Sequence, residues 1–210
     1  MSYCINPRCD RRENPEEAPA CLCCGTSLLI HNRFRILQPL RPIRLDHATD
    51  VFEVVDEQGS WISPPGVHKV LKVLKSRDEK YIALQAREAH CLQMLDHPGI
   101  PKVDLDDHFS IAVPGMPFPL HCLALEKLEG VNLEEWIEQH GRISQPQALS
   151  WLEQIAQILH HVHERGFFHR DIKPSNIVLK PDGALGLIDF GGSREVTDTY
   201  LAKISSGSSD

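Results

Sequence analysis

The polarity pattern changes near residue 30. Before it, apolar positions are scattered among Pro7, Pro15 and Pro19 with no regular period, and prolines so spaced exclude long helices. From Arg33 the patterns become regular. RFRILQPL alternates apolar and polar positions, as a half-buried strand does. DVFEVV and GVHKVLKVL predict two more strands, the turn-like DEQGS following the first. Over 78–95, DEKYIALQAREAHCLQML sets Leu84, Glu88, Leu92 and Leu95 on one helical face, and HPGIP ends that helix. LHCLALEKL has the texture of a buried strand, and NLEEWIEQH that of a short helix capped by Asn132. SQPQALSWLEQIAQILHHVHERG is long and amphipathic, starting at Ser144 or Gln145 and stopped by Gly166. FFHRDIKPSNIVLKPDGALGLIDFGG reads as a loop, a short strand, a Pro-Asp-Gly turn and another strand, before the small polar tail SGSSD.

Composition narrows the class. With 210 residues, 41% apolar and 24% charged, the chain can bury a core without staples. A formal charge of −7 argues against a general nucleic-acid binder. No run is long enough for a membrane span, and the opening residues lack the apolar core of an export signal. The chain is therefore expected in the cytoplasm. Five of the seven cysteines lie in the first 24 residues. In a reducing compartment such a cluster favours zinc over disulfides. Cys4, Cys9, Cys21 and Cys24 form two pairs able to supply four thiolates to one Zn²⁺. Cys24 is preferred to Cys23 because it alone completes C-x-x-C-G. The alternatives are exposed free thiols or a redox pair. Residues 1–30 are thus expected to be a Cys4 ribbon held mainly by its metal. Cys91 and Cys122 read as small buried apolar residues.

The strongest chemical signal is His169-Arg170-Asp171-Ile172-Lys173-Pro174-Ser175-Asn176, with Asp189-Phe190-Gly191 thirteen residues after Asn176. Phosphoryl transfer from ATP asks for positioning and charge neutralisation. Asp171 suits the carboxylate that orients a hydroxyl and takes its proton. Asp189 and Asn176 suit the pair that holds Mg²⁺ against phosphates. Lys173 suits the cation at the transferring phosphoryl group. Lys72, on the third strand, suits the clamp on the α- and β-phosphates, with Glu88 of the next helix holding it.

In this order and spacing the chain from Arg33 onward resembles the protein kinase family. Lys173 two residues after Asp171 resembles the serine/threonine branch, and the cysteine-rich opening resembles the four-cysteine-prefix serine/threonine kinases of cyanobacterial type. The resemblance implies an α+β, two-lobed fold over 31–210: an antiparallel β N-lobe over about 33–128 and part of a helical C-lobe over 129–210. It implies ATP, Mg²⁺ and a protein substrate with a Ser or Thr hydroxyl. It also implies an adenine site roofed by Leu40 and Val51, floored by Val178 and backed by Leu125, with Glu126 to Leu128 as the hinge. Arg170 would steady the catalytic loop, and Gly191 would free the magnesium loop.

Two departures stand out. The stretch Arg41 to Asp50, where kinases carry G-x-G-x-x-G, has no glycine, so Arg41 and Arg44 are expected to supply charge there or nucleotide contact is altered. The chain also ends 21 residues after Asp189 with no A-P-E, as a C-terminally truncated kinase would, so apolar groups over 145–190 are expected to be exposed. A non-catalytic module that keeps nucleotide or protein contacts is the competing function. The remaining groups have plainer readings. Asp104 to Asp107 reads as a solvated loop, His160, His161 and His163 as packed or solvated histidines at a helix end, and Trp136 and Trp151 as packing. Thr197, Thr199, Ser205 and Ser206 are unranked phosphorylation candidates.

Overall fold

The computed structural model describes residues 1–44 and 46–195. Its contacts group into two units: Met1–Ala89 with Lys102–Lys127, and His90–Pro101 with the residues from Leu128 on. Residues 1–30, expected as a separate module, pack within the first unit, and 90–101 group with the second.

In the first unit β1 (Ser2–Tyr3) pairs with β2 (Glu13–Asn14). There follow β3 (Leu29–Ile30), β4 (Phe34–Pro39), β5 (Thr49–Asp56) and β6 (Val67–Leu74). Next come α1 (Glu79–Gln93), β7 (His108–Ile111) and β8 (Leu120–Glu126). β3 to β8 form one antiparallel sheet in the order β3-β4-β5-β6-β8-β7. Register assigns its faces, because successive side chains alternate. Phe52, Leu71 and Ala124 stand side by side on one face. They join Phe34, Ile36, Val54, Val73 and Cys122 in the core, and Ile5 and Tyr3 of the N-terminal segment pack against it. Val51, Lys72 and Leu123 line up on the other face, next to the row Glu53, Val70 and Leu125.

One sequence reading holds only in part: within Asp104 to Asp107, Leu105 and Asp106 are exposed, but the acidic run ends in the interior. Asp104 caps a short 3-10 turn over Leu105–Asp107, and Asp107 is fully buried. Its carboxylate accepts a 2.8 Å hydrogen bond from Lys69 and lies 3.0 Å from Arg33, which in turn forks onto Asp56 at 2.6 and 2.9 Å. Two cations and two carboxylates share the interior, which is how a domain tolerates buried charge.

In the second unit β9 (Val131–Asn132) leads into α2 (Leu133–His140), followed by α3 (Gln145–Glu164) and β10 (Phe167–Phe168). β11 (Ile177–Leu179) and β12 (Leu185–Leu187) pair with each other, and β9 joins β11. β13 (Arg194–Glu195) pairs with β10. Asn132 accepts from Glu135 N and Ser144 from Gln147 N, so both helices start at the expected caps. α3 buries Trp151, Ile155, Ile158 and Val162 at helical spacing, and Trp151 meets Trp136 edge-on at 5.2 Å. Leu149, Leu152 and Ile172 are exposed. Gly130 has φ 142°, and a Cβ there would sit 2.2 Å from the Leu179 carbonyl oxygen, so no side chain fits.

Candidate active site and cysteine centre

The catalytic candidates of the second unit sit on the chain between β10 and β13, Asp189 just after β12. Two of these residues occupy the left-handed region, which bulky side chains rarely adopt: Arg170 at φ 67° and Asp189 at φ 65°. His169 holds the turn in shape. Its Nδ1 accepts from Asp171 N at 3.3 Å and its Nε2 donates to Ile188 O at 3.0 Å, which fixes the tautomer. Its ring meets buried Phe190 edge-on at 4.6 Å. Asn176 Nδ2 donates to both the carbonyl and Oδ2 of Asp171, each at 2.9 Å. Lys173 Nζ donates to the same Oδ2 at 2.8 Å. These donors hold the Asp171 carboxyl below the usual carboxylate range, Lys173 first, and Asp171 in turn raises Lys173. Asp171 is therefore an aligned, ionised acceptor, 42% exposed at its side chain. With Nδ2 committed to Asp171, Oδ1 is the oxygen Asn176 offers a cation, and this suits a hard, oxygen-seeking ion such as Mg²⁺. Val178, the expected floor, is buried on β11.

In the first unit Lys72 Nζ donates to Glu88 Oε1 at 2.5 Å, and both side chains are nearly buried. Gln85, a turn before Glu88 on α1, reaches the Lys72 and His121 carbonyls at 3.3 and 3.4 Å. Val51 and Leu125 share the Lys72 face and are buried, whereas Leu40, at the end of the preceding strand, is 42% exposed. Leu40 N donates to Val51 O. Glu126 N donates to Lys102 O, so this hinge amide is already engaged. In the glycine-free stretch Arg41 and Arg44 are exposed, and Leu45 lies outside the described residues. Thr197, Thr199, Ser205 and Ser206 also lie outside them.

Sequence reasoning missed Glu53. It lies on the Lys72 face, accepting from Lys127 and His68 at 2.8 Å each and from Gln38 at 2.8 Å. These partners, Lys127 first, pull its carboxyl down to about 2. An acid inside an apolar strand carries no periodic signal of such partners.

The N-terminal segment brings the Sγ atoms of Cys4, Cys9, Cys21 and Cys24 within 4.8 Å of one another. Cys4 to Cys24 and Cys9 to Cys21 are each 3.6 Å apart. Four thiolates around a tetrahedral zinc stand about 3.8 Å apart, given a Zn–S bond of about 2.3 Å. Burial opposes ionisation at all four. It pushes Cys4 up to about 12 and Cys9 up as well. For Cys21 hydrogen bonds from the Cys24 and Cys23 amides, together with Cys9 and Asn14, outweigh it and bring the thiol down to about 6. For Cys24, hydrogen bonds from Thr26 together with those of Cys9 and Cys4 outweigh it. Cys23 is exposed and outside the cluster. The donor set can hold a metal ion, and its chemistry fits zinc.

Comparison with known proteins follows the same lines. The family description "Protein kinase domain" matches residues 55–209. Serine/threonine-protein kinase B of Synechocystis sp. is 28% identical over 96% of this chain and 34% of its own length. Serine/threonine-protein kinase PrkC of Bacillus subtilis is 31% identical over 66% of this chain and 20% of its own. Serine/threonine-protein kinase PknA of Mycobacterium tuberculosis is 36% identical over 61% and 29%. The chain thus spans about a third or less of the length of these relatives. An antiparallel sheet with a lysine–glutamate pair, a bent loop with its ordered Asp, Lys and Asn, and a family match over most of the length agree: the chain belongs to the protein kinase family.

Proposed function

We propose that this chain carries the nucleotide-binding and phosphoryl-transfer residues of a serine/threonine protein kinase, acting on a Ser or Thr hydroxyl of a protein substrate with ATP as donor. The observation that carries the reading is the Asp171 carboxylate, ionised and aimed by Lys173 and Asn176. Asp171 takes the proton of the attacking hydroxyl as its oxygen turns on the γ-phosphorus. Lys173 remains beside the carboxylate and balances charge on the transferring group. Lys72, fixed by Glu88, holds the α- and β-phosphates, with Val51 and Leu125 on its sheet face against the adenine. Asn176 and Asp189 would hold Mg²⁺, which neutralises phosphate charge when bound. The kinase names borne by the relatives favour turnover over a purely binding role.

For the four-cysteine cluster we propose zinc in a structural role. All four ligands come from protein, so no position is left open for substrate. A thiolate centre of this kind suits a reducing compartment, in accord with a cytoplasmic setting.

The test is Mg²⁺-dependent transfer of γ-phosphate from ATP to a generic protein acceptor by the purified chain, with Asp171→Asn beside it. The reading expects transfer by the parent and a loss of a hundredfold or more in the variant, on the order of general-base contributions. Equal rates in the two would refute it.

A further inference from the structure

The kinase reading leaves the glycine-free stretch between β4 and β5 without a device to shape it. Glycine ordinarily lets such a loop approach phosphates closely. Here the loop is instead held at two carbonyls by one residue at the end of β6. Lys75 Nζ donates to Arg44 O at 2.9 Å, and Lys75 N donates to Ala48 O at 2.7 Å. Lys75 is itself anchored to Asp50 Oδ1 at 2.7 Å. The second oxygen of Asp50 faces Arg12 at 3.5 Å, and the three side chains are 8%, 3% and 8% exposed.

Arg12 comes from the cysteine segment and is held there. Its Nε donates to Cys4 O at 2.7 Å and one terminal nitrogen donates to Ile5 O at 3.1 Å. Its own carbonyl accepts from Cys4 N at 2.7 Å. Its guanidinium lies 5.0 Å from the Tyr3 ring and 5.3 Å from the Phe52 ring. A continuous path therefore runs from the backbone of a metal-ligand candidate, through Arg12, Asp50 and Lys75, to the loop. Each link is charged and buried, so removal of one leaves a charge without its counterpart.

We infer that Arg12 is a positioning residue for nucleotide binding: through Asp50 and Lys75 it fixes the loop at Arg44 and Ala48 in place of the missing glycines. The cysteine segment is then part of the nucleotide lobe. The role in binding rests on the kinase reading, whereas the bracing of the loop does not.

The experiment compares the full chain with Arg12→Met, Arg12→Lys, Asp50→Asn and Lys75→Met. Bound zinc is measured first. Amide hydrogen exchange over 40–50 is then followed by mass spectrometry, alongside affinity for Mg²⁺–ADP and the KM and kcat for ATP. In Arg12→Met the loop amides are expected to exchange about tenfold faster, with zinc retained. ADP binding is expected to weaken about fivefold and KM for ATP to rise as much, with kcat changed less than twofold. Asp50→Asn and Lys75→Met should do the same, Arg12→Lys should recover part of the loss, and combining Arg12→Met with Lys75→Met should add little. Should Arg12→Met lose its zinc, Asp50→Asn, which makes no hydrogen bond to the cysteine segment, decides the matter once its own zinc is shown to be retained. Unchanged loop exchange in Asp50→Asn overturns the brace. Faster exchange with unchanged ADP affinity overturns its role in binding. A parent chain that binds no ADP refutes the kinase reading, while the exchange data still decide the brace.

Discussion

At the scale of single residues the site divides into what spacing reveals and what only packing reveals. Asp171, Lys173 and Asn176 lie within six positions of one another, so their order alone announces their chemistry. Glu53 has partners 15 and 74 residues away, and no local pattern could reveal them. Its depressed carboxyl makes a pH prediction. A group whose folded value is about 2 stabilises the fold above its ordinary value near 4.5, and that contribution is lost as pH falls from there toward 2. Glu53→Gln should therefore remove about 2 kcal/mol at neutral pH and flatten the acid limb, as read by urea unfolding at pH 7, 4 and 3. Gly130→Ala should cost about 3 kcal/mol in the same assay, because backbone strain and a clash with the Leu179 carbonyl act together.

At the scale of elements, the long strands, the helices and their caps were legible because local rules govern them, whereas β7 and the short β10 were not. The two lysines of β6 show where those rules stop. Lys69 and Lys72 are three apart, hence on opposite faces, and both read as polar breaks in an apolar strand. Lys72 meets Glu88, whereas Lys69 is 1% exposed and held by Asp107, 38 residues on. An acidic run reads as solvated because most such runs are, and only the partner strand reveals the exception. Asp107→Asn should lower unfolding stability by about 3 kcal/mol, since Arg33 and Lys69 would keep their charge in the interior with one carboxylate between them. Asn132→Ala should cost only about 1 kcal/mol, the usual worth of a helix cap. Helix α1 shows a milder limit. Its apolar period placed Glu88 and Leu92 inward, but Gln85 is buried as well, where its amide donates to the Lys72 and His121 carbonyls of two neighbouring strands.

At the scale of the molecule, the cysteine spacing suggested a small metal-held module over 1–30, and the packing joins that segment to the first sheet. Tyr3 and Ile5 pack against the sheet core, Asn6 donates to Pro114 O at 2.9 Å, and Arg8 donates to Gly115 O at 2.6 Å. None of these partners lies near the cysteines in sequence, so spacing could not anticipate them. Metal removal should then be felt beyond the first 30 residues. A zinc chelator is expected to lower the melting temperature of the whole first unit by several degrees, read from amide exchange in β4 and β5. Loss of protection confined to residues 1–30 would contradict that expectation.

The Arg12–Asp50 contact also bears on inheritance. The cation supplied by one segment, the buried acid in another and the lysine beside it are selected as a unit, because removing any one leaves the buried charge unbalanced. Kinases that carry the four-cysteine prefix should keep an acid at the position of Asp50 together with the basic residue. Kinases that lack the prefix should be free to place a neutral or apolar side chain there. The gain or loss of the prefix over evolutionary time would thus leave its mark at a single strand position, 26 residues beyond the last cysteine of the cluster.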